Sequence, residues 1–331
     1  MRCFWVEKSE SGEVTSSLTD KPVSILDSSD TSEPRIRIQV QYSSLNYKDA
    51  MAATGHPGIV RHFPHIPGID AVGRVIQSQD AAFPVGAEVI VTGNQLGVTH
   101  FGAWAEQIDV PVSWAVPLPE SLTPLQSMAL GTAGFTAAQC VAALIDHGVT
   151  PESGSVVVTG ATGGVASLAI SLLVKLGYSV VAVTGKQSEH EALKQRGVDH
   201  VLSRSEFIDD SRRPLLSAAY AGAVDTVGGT MLETLLRSTQ YRGCVAACGL
   251  TGGAELNTTV YPFLLRGVTL CGIDSAMCPM PIRKKIWQRL SSDWKLDDLD
   301  SLTEIVPMDE LSSMVSKILA GGMVGRAVIQ I

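Results

Sequence analysis

The run Val156-Val157-Val158-Thr159 passes directly into Gly160-Ala161-Thr162-Gly163-Gly164-Val165-Ala166, and this junction constrains the fold more than any other stretch of the chain. The apolar β-branched run predicts a buried strand, the glycine cluster a tight turn, and the pattern that follows a helix N-terminus. Such a terminus presents unpaired N–H groups and a partial positive charge, which suit a phosphate. The spacing of Gly160, Gly163 and Ala166 allows a sharp turn, close backbone approach to a pyrophosphate, and a small residue at the helix–strand contact.

The surrounding sequence extends this pattern. Apolar runs at 155–159, 179–184, 200–203, 223–227, 243–249 and 268–273 alternate with helical segments, notably 163–177 and 188–196. Nearly continuous apolar strands are expected where a parallel sheet is covered on both faces, so this segment reads as an α/β doubly wound parallel sheet of the Rossmann type. Residues 1–120 differ. Short strands such as 36–42, 73–76 and 88–92, with frequent Gly and Pro, predict a β-barrel-like domain. Pro117, Pro119 and Pro124 mark the change to a helical period, and 124–146 reads as a helix. The expected division is 1–123, 124–275 and 276–331. The last piece carries two amphipathic helices, and its closing run 326–331 has no place in the parallel sheet and returns to the first domain.

With 331 residues and a net charge of −8, the chain is acidic, which argues against nucleic acid as the main partner. No uninterrupted apolar run reaches the roughly 18–20 residues of a membrane span. The six cysteines form no C-x-x-C pair and mostly sit in apolar runs, so reduced, buried thiols in the cytoplasm are expected. Met1 to Glu7 reads as a strand and not as a signal peptide.

Sheets of this kind that bind NAD place an acidic residue at the end of the second strand, on the ribose hydroxyls. Here that strand ends in Thr184-Gly185-Lys186, and Arg204 follows the third strand. A hydroxyl, a backbone N–H, an ammonium and a guanidinium suit a 2′-phosphate, which predicts NADPH over NADH.

Several longer motifs extend these local signals. Ser43-Ser44-Leu45-Asn46-Tyr47-Lys48-Asp49-Ala50, Pro67-Gly68-Ile69-Asp70-Ala71-Val72-Gly73 and Gly131-Thr132-Ala133-Gly134-Phe135-Thr136-Ala137 resemble the medium-chain dehydrogenase/reductase superfamily over nearly the whole chain. Asp225-Thr226-Val227-Gly228-Gly229, Gly243 to Leu250 and Gly272-Ile273-Asp274-Ser275 are most similar to its acrylyl-CoA reductases, a group also labelled YhdH/YhfP-type quinone oxidoreductases. The resemblance implies a Rossmann domain inserted in a GroES-like catalytic domain. It also implies NADPH-dependent, zinc-independent reduction of an activated carbon–carbon double bond in a small-molecule acyl-CoA. A homodimer paired through Thr269-Leu270-Cys271-Gly272-Ile273 is implied as well. One departure is Ala166, where the family's loop commonly has glycine.

The resemblance also assigns site residues. Asn46 is expected to donate to the substrate carbonyl, Tyr47 to supply a proton or stack on the nicotinamide, and Asp49 to orient its neighbours. Gly163, Gly164, Val165, Ala166, Ser167 and Leu168 would meet the cofactor phosphates, and Thr184, Gly185, Lys186 and Arg204 the 2′-phosphate. Leu250 and Ser275 would border the nicotinamide, and Arg326 would reach the cofactor through the returning tail. Arg61, Arg283 and Lys284 are candidates for the CoA phosphates, although a charge run on an amphipathic helix also reads as its solvated face. No metal is expected. The catalytic cysteine of zinc-dependent members falls where this chain has Asn46-Tyr47, and Gly68-Ile69-Asp70 replaces their G-H-E. His56, His62 and His65 read as a polar loop. An NADPH:quinone or enone reductase and a non-catalytic NADPH-binding protein are the other readings.

Overall fold

A computed structural model describes residues 1–27 and 33–331. Two compact units emerge: Met1–Thr132 with Ala276–Asp293 and Asp297–Ile331, and Ala133–Ser275 with Trp294–Leu296.

The first unit opens with an antiparallel pair, β1 (Arg2–Lys8) and β2 (Val14–Asp20). β3 (Arg35–Ser44) alternates buried and half-exposed residues along most of its length, the period-2 pattern of a strand with one face on a core. A short helix, α1 (Tyr47–Ala53), follows it at once. β4 (Asp70–Ser78), β5 (Glu88–Thr92), β6 (Gln107–Pro111) and β7 (Ala115–Pro117) then build antiparallel pairs around β3. Ile36, Ile38, Val75, Val91 and Ile108 fill the interior.

α2 (Pro124–Asp146) carries the chain from one unit to the other. Gly131 sits inside it at φ +50° and ψ −153°, so the helix is kinked there. The contacts divide at Thr132/Ala133, just past this kink, and not at 123/124 where the proline cluster suggested. Pro124 begins the helix, which suits its fixed φ, and so marks no unit boundary. α2 is also long and apolar enough by composition to cross a membrane, although Gln126, Ser127, Thr132, Thr136 and Gln139 interrupt its apolar run. Most of its apolar window, 78%, is buried inside the protein, as in a core helix.

The second unit alternates β8 (Val156–Thr159), α3 (Gly164–Lys175), β9 (Val180–Thr184), α4 (His190–Gln195), β10 (His200–Ser203), α5 (Arg204–Phe207), β11 (Tyr220–Asp225), α6 (Gly229–Ser238), β12 (Thr239–Ala247), α7 (Tyr261–Arg266) and β13 (Thr269–Gly272). The six strands are parallel in the order β10-β9-β8-β11-β12-β13. The order reverses between β8 and β11, the switch point where such sheets bind ligands at their carboxyl ends. Val157, Val183, Val245 and Leu235 belong to its core.

The tail forms α8 (Met280–Leu290), β14 (Thr303–Pro307), α9 (Leu311–Leu319) and β15 (Arg326–Gln330). β15 pairs antiparallel with β3 and parallel with β14, so the closing strand does return to the first unit's seven-stranded sheet.

Candidate active site

In the second unit, β8 ends at the glycine turn and α3 begins at Gly164, with Gly163 as its N-cap. Gly160 has φ +62°, and a Cβ on it would lie 2.5 Å from Thr226 Oγ1. Only glycine fits this turn, both for conformation and for space. The Gly163 N–H donates to the Gly160 carbonyl at 2.8 Å and closes the turn. Gly163 is exposed and Gly164 and Val165 are half-exposed, so backbone and not side chains faces a phosphate here.

The rest of the loop corrects part of the expectation. Leu168 is fully buried, and the Ser167 hydroxyl donates to the Gly164 carbonyl at 3.1 Å inside the helix, so neither side chain is offered to a ligand. Ala166 is fully buried as well. Its methyl fills helix–sheet space, the role the small third position serves.

Across the switch point, Thr159 at the end of β8 donates to Asp225 Oδ1 at 2.6 Å. Asp225 also accepts the N–H groups of Val227 and Gly228, and Thr226 Oγ1 donates to the Thr159 carbonyl at 2.9 Å. Burial raises the Asp225 pKa, against these bonds. The arrangement locks the carboxyl ends of β8 and β11 and so fixes the wall behind Gly160. Its roles were not evident from the motif, because they depend on strand order.

At the end of β9, Thr184 Oγ1 accepts the Lys186 N–H at 3.1 Å. Arg204 lies over Gly185: a Cβ there would be 3.1 Å from Arg204 Nε. The structure therefore brings Thr184, Gly185, Lys186 and Arg204 together, with the guanidinium exposed. A phosphate fits this donor set. Leu250 is exposed but lies beyond the end of β12, and Ser275 is half-exposed beyond β13.

In the first unit, Asn46 caps α1 and leaves Tyr47 at its first turn, 46% exposed. Asp49 is fully buried. Its Oδ2 accepts the Asn46 N–H at 2.8 Å and its Oδ1 the Ile69 N–H at 2.8 Å. The Asn46 amide donates to Ser44 Oγ at 3.1 Å, Asp49 Oδ2 at 3.1 Å and Asp70 Oδ2 at 2.9 Å. Two amide hydrogens shared among three internal acceptors leave none for a substrate carbonyl, which corrects the donor role expected of Asn46. Asp49 likewise spends both oxygens inside the fold.

Asp70 gathers further donors: Ser44 Oγ at 2.5 Å, Thr132 Oγ1 at 2.5 Å and the Thr132 N–H at 2.9 Å. Arg326, 3% exposed, donates to the carbonyls of Ala129 and Leu45 and to Asn46 Oδ1. It is a buried strut of this unit, so the expected cofactor contact is corrected. Gly131 permits the cluster, since a Cβ there would lie 2.6 Å from Asp70 Oδ2. Burial, and then the negative charge of Asp70, pushes the Asp49 pKa up to about 7. Burial lowers that of Arg326, while Asp70 and Asp49 hold it up. Ser44, Asp70 and Thr132 stood inside the quoted motifs, but only the fold shows them converging on Asn46.

Three basic candidates separate. Arg61 and Lys284 are exposed. Arg283 is 1% exposed, and its Nη1 donates to Thr92 O and Thr92 Oγ1, both at 2.8 Å. It cannot meet a CoA phosphate: it lies on the buried face of α8 beside Ile286 and Trp287, where the helical period put a charge run across two faces. His65 is also buried and bonds the Gly97 carbonyl, so it does not belong to a solvated loop. Among the described residues, no three His, Cys, Asp or Glu side chains are placed to hold a metal ion, so the donor set does not fit zinc.

Comparison with known proteins agrees with this anatomy. The alcohol dehydrogenase GroES-like domain family matches residues 32–120, and the zinc-binding dehydrogenase family matches residues 164–292. The chain is 47% identical to the "Probable acrylyl-CoA reductase AcuI" of Escherichia coli strain K12 over 309 residues, 93% of this chain and 95% of the relative. It is 43% identical to the yhdH oxidoreductase from Salmonella enterica, solved in complex with NADP, with a TM-score of 0.95 over all of both chains. The Bacillus subtilis protein yhfP, solved with NAD bound, is also 43% identical, with a TM-score of 0.95 over 100% of this chain and 99% of that one.

Proposed function

Because the chain belongs to the medium-chain dehydrogenase/reductase superfamily, within its acrylyl-CoA reductase/YhdH group, we propose that it reduces the carbon–carbon double bond of acryloyl-CoA with NADPH, giving propionyl-CoA. The observation that carries the cofactor choice is Arg204 lying over Gly185 at a strand end that has Thr184 in place of an acid. The substrate follows the Escherichia coli relative.

When bound, NADPH supplies the hydride that goes to the β-carbon of the thioester. The chain holds it through the backbone of Gly163 to Val165 and through Thr184, Lys186 and Arg204. Tyr47 is the exposed polar group of the α1 N-terminus, and it supplies the proton taken up at the α-carbon. Asn46 and Asp49 are positioning residues. By capping α1 from inside they fix where the Tyr47 ring is presented. Arg61 and Lys284 remain exposed cations for the CoA phosphates.

A homodimer through β13 belongs to the same reading. β13 is the outer strand of its sheet, and α7 beside it exposes Tyr261, Leu264 and Leu265, the kind of apolar edge that needs a partner. Free cysteines throughout fit a cytoplasmic setting. Deuterium transfer tests the chemistry. With NADPH deuterated at the nicotinamide hydride position, label in propionyl-CoA belongs on the β-carbon, and unlabelled product or label on the α-carbon alone would sink the proposal.

A further inference from the structure

The backbone ladder between β8 and β11 stops before the carboxyl ends of the two strands. Val156, Val157 and Val158 pair with Gly222, Ala223 and Val224, and the pairing ends there. Beyond it the chain runs on to Thr159 on one side and to Asp225 and Thr226 on the other, at the switch point where such sheets bind ligands. Side chains take over from the ladder. Thr159 Oγ1 donates to Asp225 Oδ1 at 2.6 Å and accepts the Thr226 N–H at 3.0 Å. Thr226 Oγ1 donates back to the Thr159 carbonyl at 2.9 Å. Thr159 and Asp225 are both fully buried. Two of the Asp225 bonds, from the N–H groups of Val227 and Gly228, only close a local turn ahead of α6. The bond to Thr159 spans 66 residues and has no part in that turn.

Thr226 also bears on the glycine turn itself. A Cβ on Gly160 would stand 2.5 Å from Thr226 Oγ1 and 3.2 Å from Val227 Cγ2, so these side chains press directly on the Gly160 backbone. Gly160 carries the left-handed φ of the turn, its carbonyl accepts the Gly163 N–H, and Gly163 caps α3. Thr226 is held from its other side as well. A Cβ on Gly249 would lie 2.1 Å from the Thr226 carbonyl, so the segment after β12 packs against it backbone to backbone. The tie thus runs from Asp225 through Thr159 and Thr226 to the turn that sets the α3 N-terminus.

We propose that Thr159, Asp225 and Thr226 are positioning residues for the pyrophosphate of the cofactor, holding the glycine turn in its phosphate-binding shape before the nucleotide arrives. The inference rests on the NADPH reading above and adds to it the residues that preorganise its phosphate loop. With the turn already ordered, the backbone N–H groups of Gly163 to Val165 meet the phosphates without rearrangement, and binding is tighter by the ordering it avoids. Thr184, Lys186 and Arg204 stand at the ends of β9 and β10 and take no part in the tie, so the 2′-phosphate contacts do not depend on it.

The test titrates the whole protein with NADPH and with adenosine 2′-monophosphate, which has no pyrophosphate. Thr159→Val keeps the side-chain shape and removes both hydroxyl bonds, whereas Thr159→Ser keeps the hydroxyl. The expected result is an NADPH Kd raised about tenfold in Thr159→Val and close to the parent in Thr159→Ser. The Kd for adenosine 2′-monophosphate should stay within about twofold of the parent in both. Thr226→Val removes the reciprocal bond alone and should weaken NADPH in the same sense; it carries the test should Thr159→Val not fold. Folded valine variants with the parent's NADPH Kd overturn the proposal. So does an equal loss for both ligands, the mark of a general loosening of the unit. A parent chain that binds neither ligand sinks the cofactor reading and this proposal with it, so the two failures are told apart, and turnover of acryloyl-CoA enters neither.

Discussion

Asp49→Asn should remove a pH dependence of stability that the buried carboxyl builds into the first unit. Asp49 has no solvent contact and faces the charge of Asp70, so its pKa rises from 3.8 to about 7. Between those values the folded protein keeps a proton that the unfolded chain has lost. Folding then takes up a proton, and stability falls as pH rises through the window and levels off above about 7. Over about three pH units, at about 1.4 kcal/mol each, the loss amounts to about 4 kcal/mol. Asparagine carries no charge at any pH and abolishes this slope. It also turns an amide toward the N–H groups that Asp49 accepts, which costs about 1–2 kcal/mol at all pH values. The variant should therefore be the less stable protein near pH 5, and it should gain on the parent by about 3 kcal/mol as the pH is raised to about 7.5. Urea denaturation of both proteins across this range measures it. Parallel stability curves, or a parent that gains on the variant with rising pH, would refute the reasoning.

Other expectations concern single contacts. Arg204→Ala should lower the ratio of NADPH to NADH affinity by about tenfold or more, the worth of a charge-assisted phosphate bond, and Lys186→Ala by a smaller factor; titration calorimetry with both nucleotides checks this. Tyr47→Phe should cut kcat about a hundredfold while leaving the nucleotide Kd unchanged, whereas full activity would remove the proton-donor role. Arg283→Met should lower Tm through about 3 kcal/mol of lost stability by stranding Thr92, and leave the salt dependence of KM for the acyl-CoA unchanged. Lys284→Ala should weaken that salt dependence.

Local signals made the second unit legible. Each strand is a short apolar run next to its own helix, so period and glycine placement were enough, and the acid-free strand end at Thr184 spoke for itself. The observed β11 and β12 begin several residues before the expected runs, because Tyr220 pairs with Thr239 ahead of the continuous apolar stretches. Helical spacing around Ile286 and Trp287 suggested an outward charge run, but it could not show that Arg283 turns inward to Thr92. The Asn46 cluster was least legible. Ser44 and Asp49, Asp70, Thr132, and Arg326 come from four separate segments of the chain, and only tertiary structure decides that their polar groups satisfy one another and not a ligand.

The proposed activity is that of an NADPH-dependent reductase that prefers an acryloyl thioester. Its most direct test is kcat/KM for acryloyl-CoA against a simple quinone, with NADPH held saturating and its loss followed by absorbance. Preference for acryloyl-CoA by about a hundredfold or more, with propionyl-CoA formed in step with NADPH consumed, is the expected result. Equal or faster turnover of the quinone, or no turnover of either by protein that binds NADPH, would contradict it.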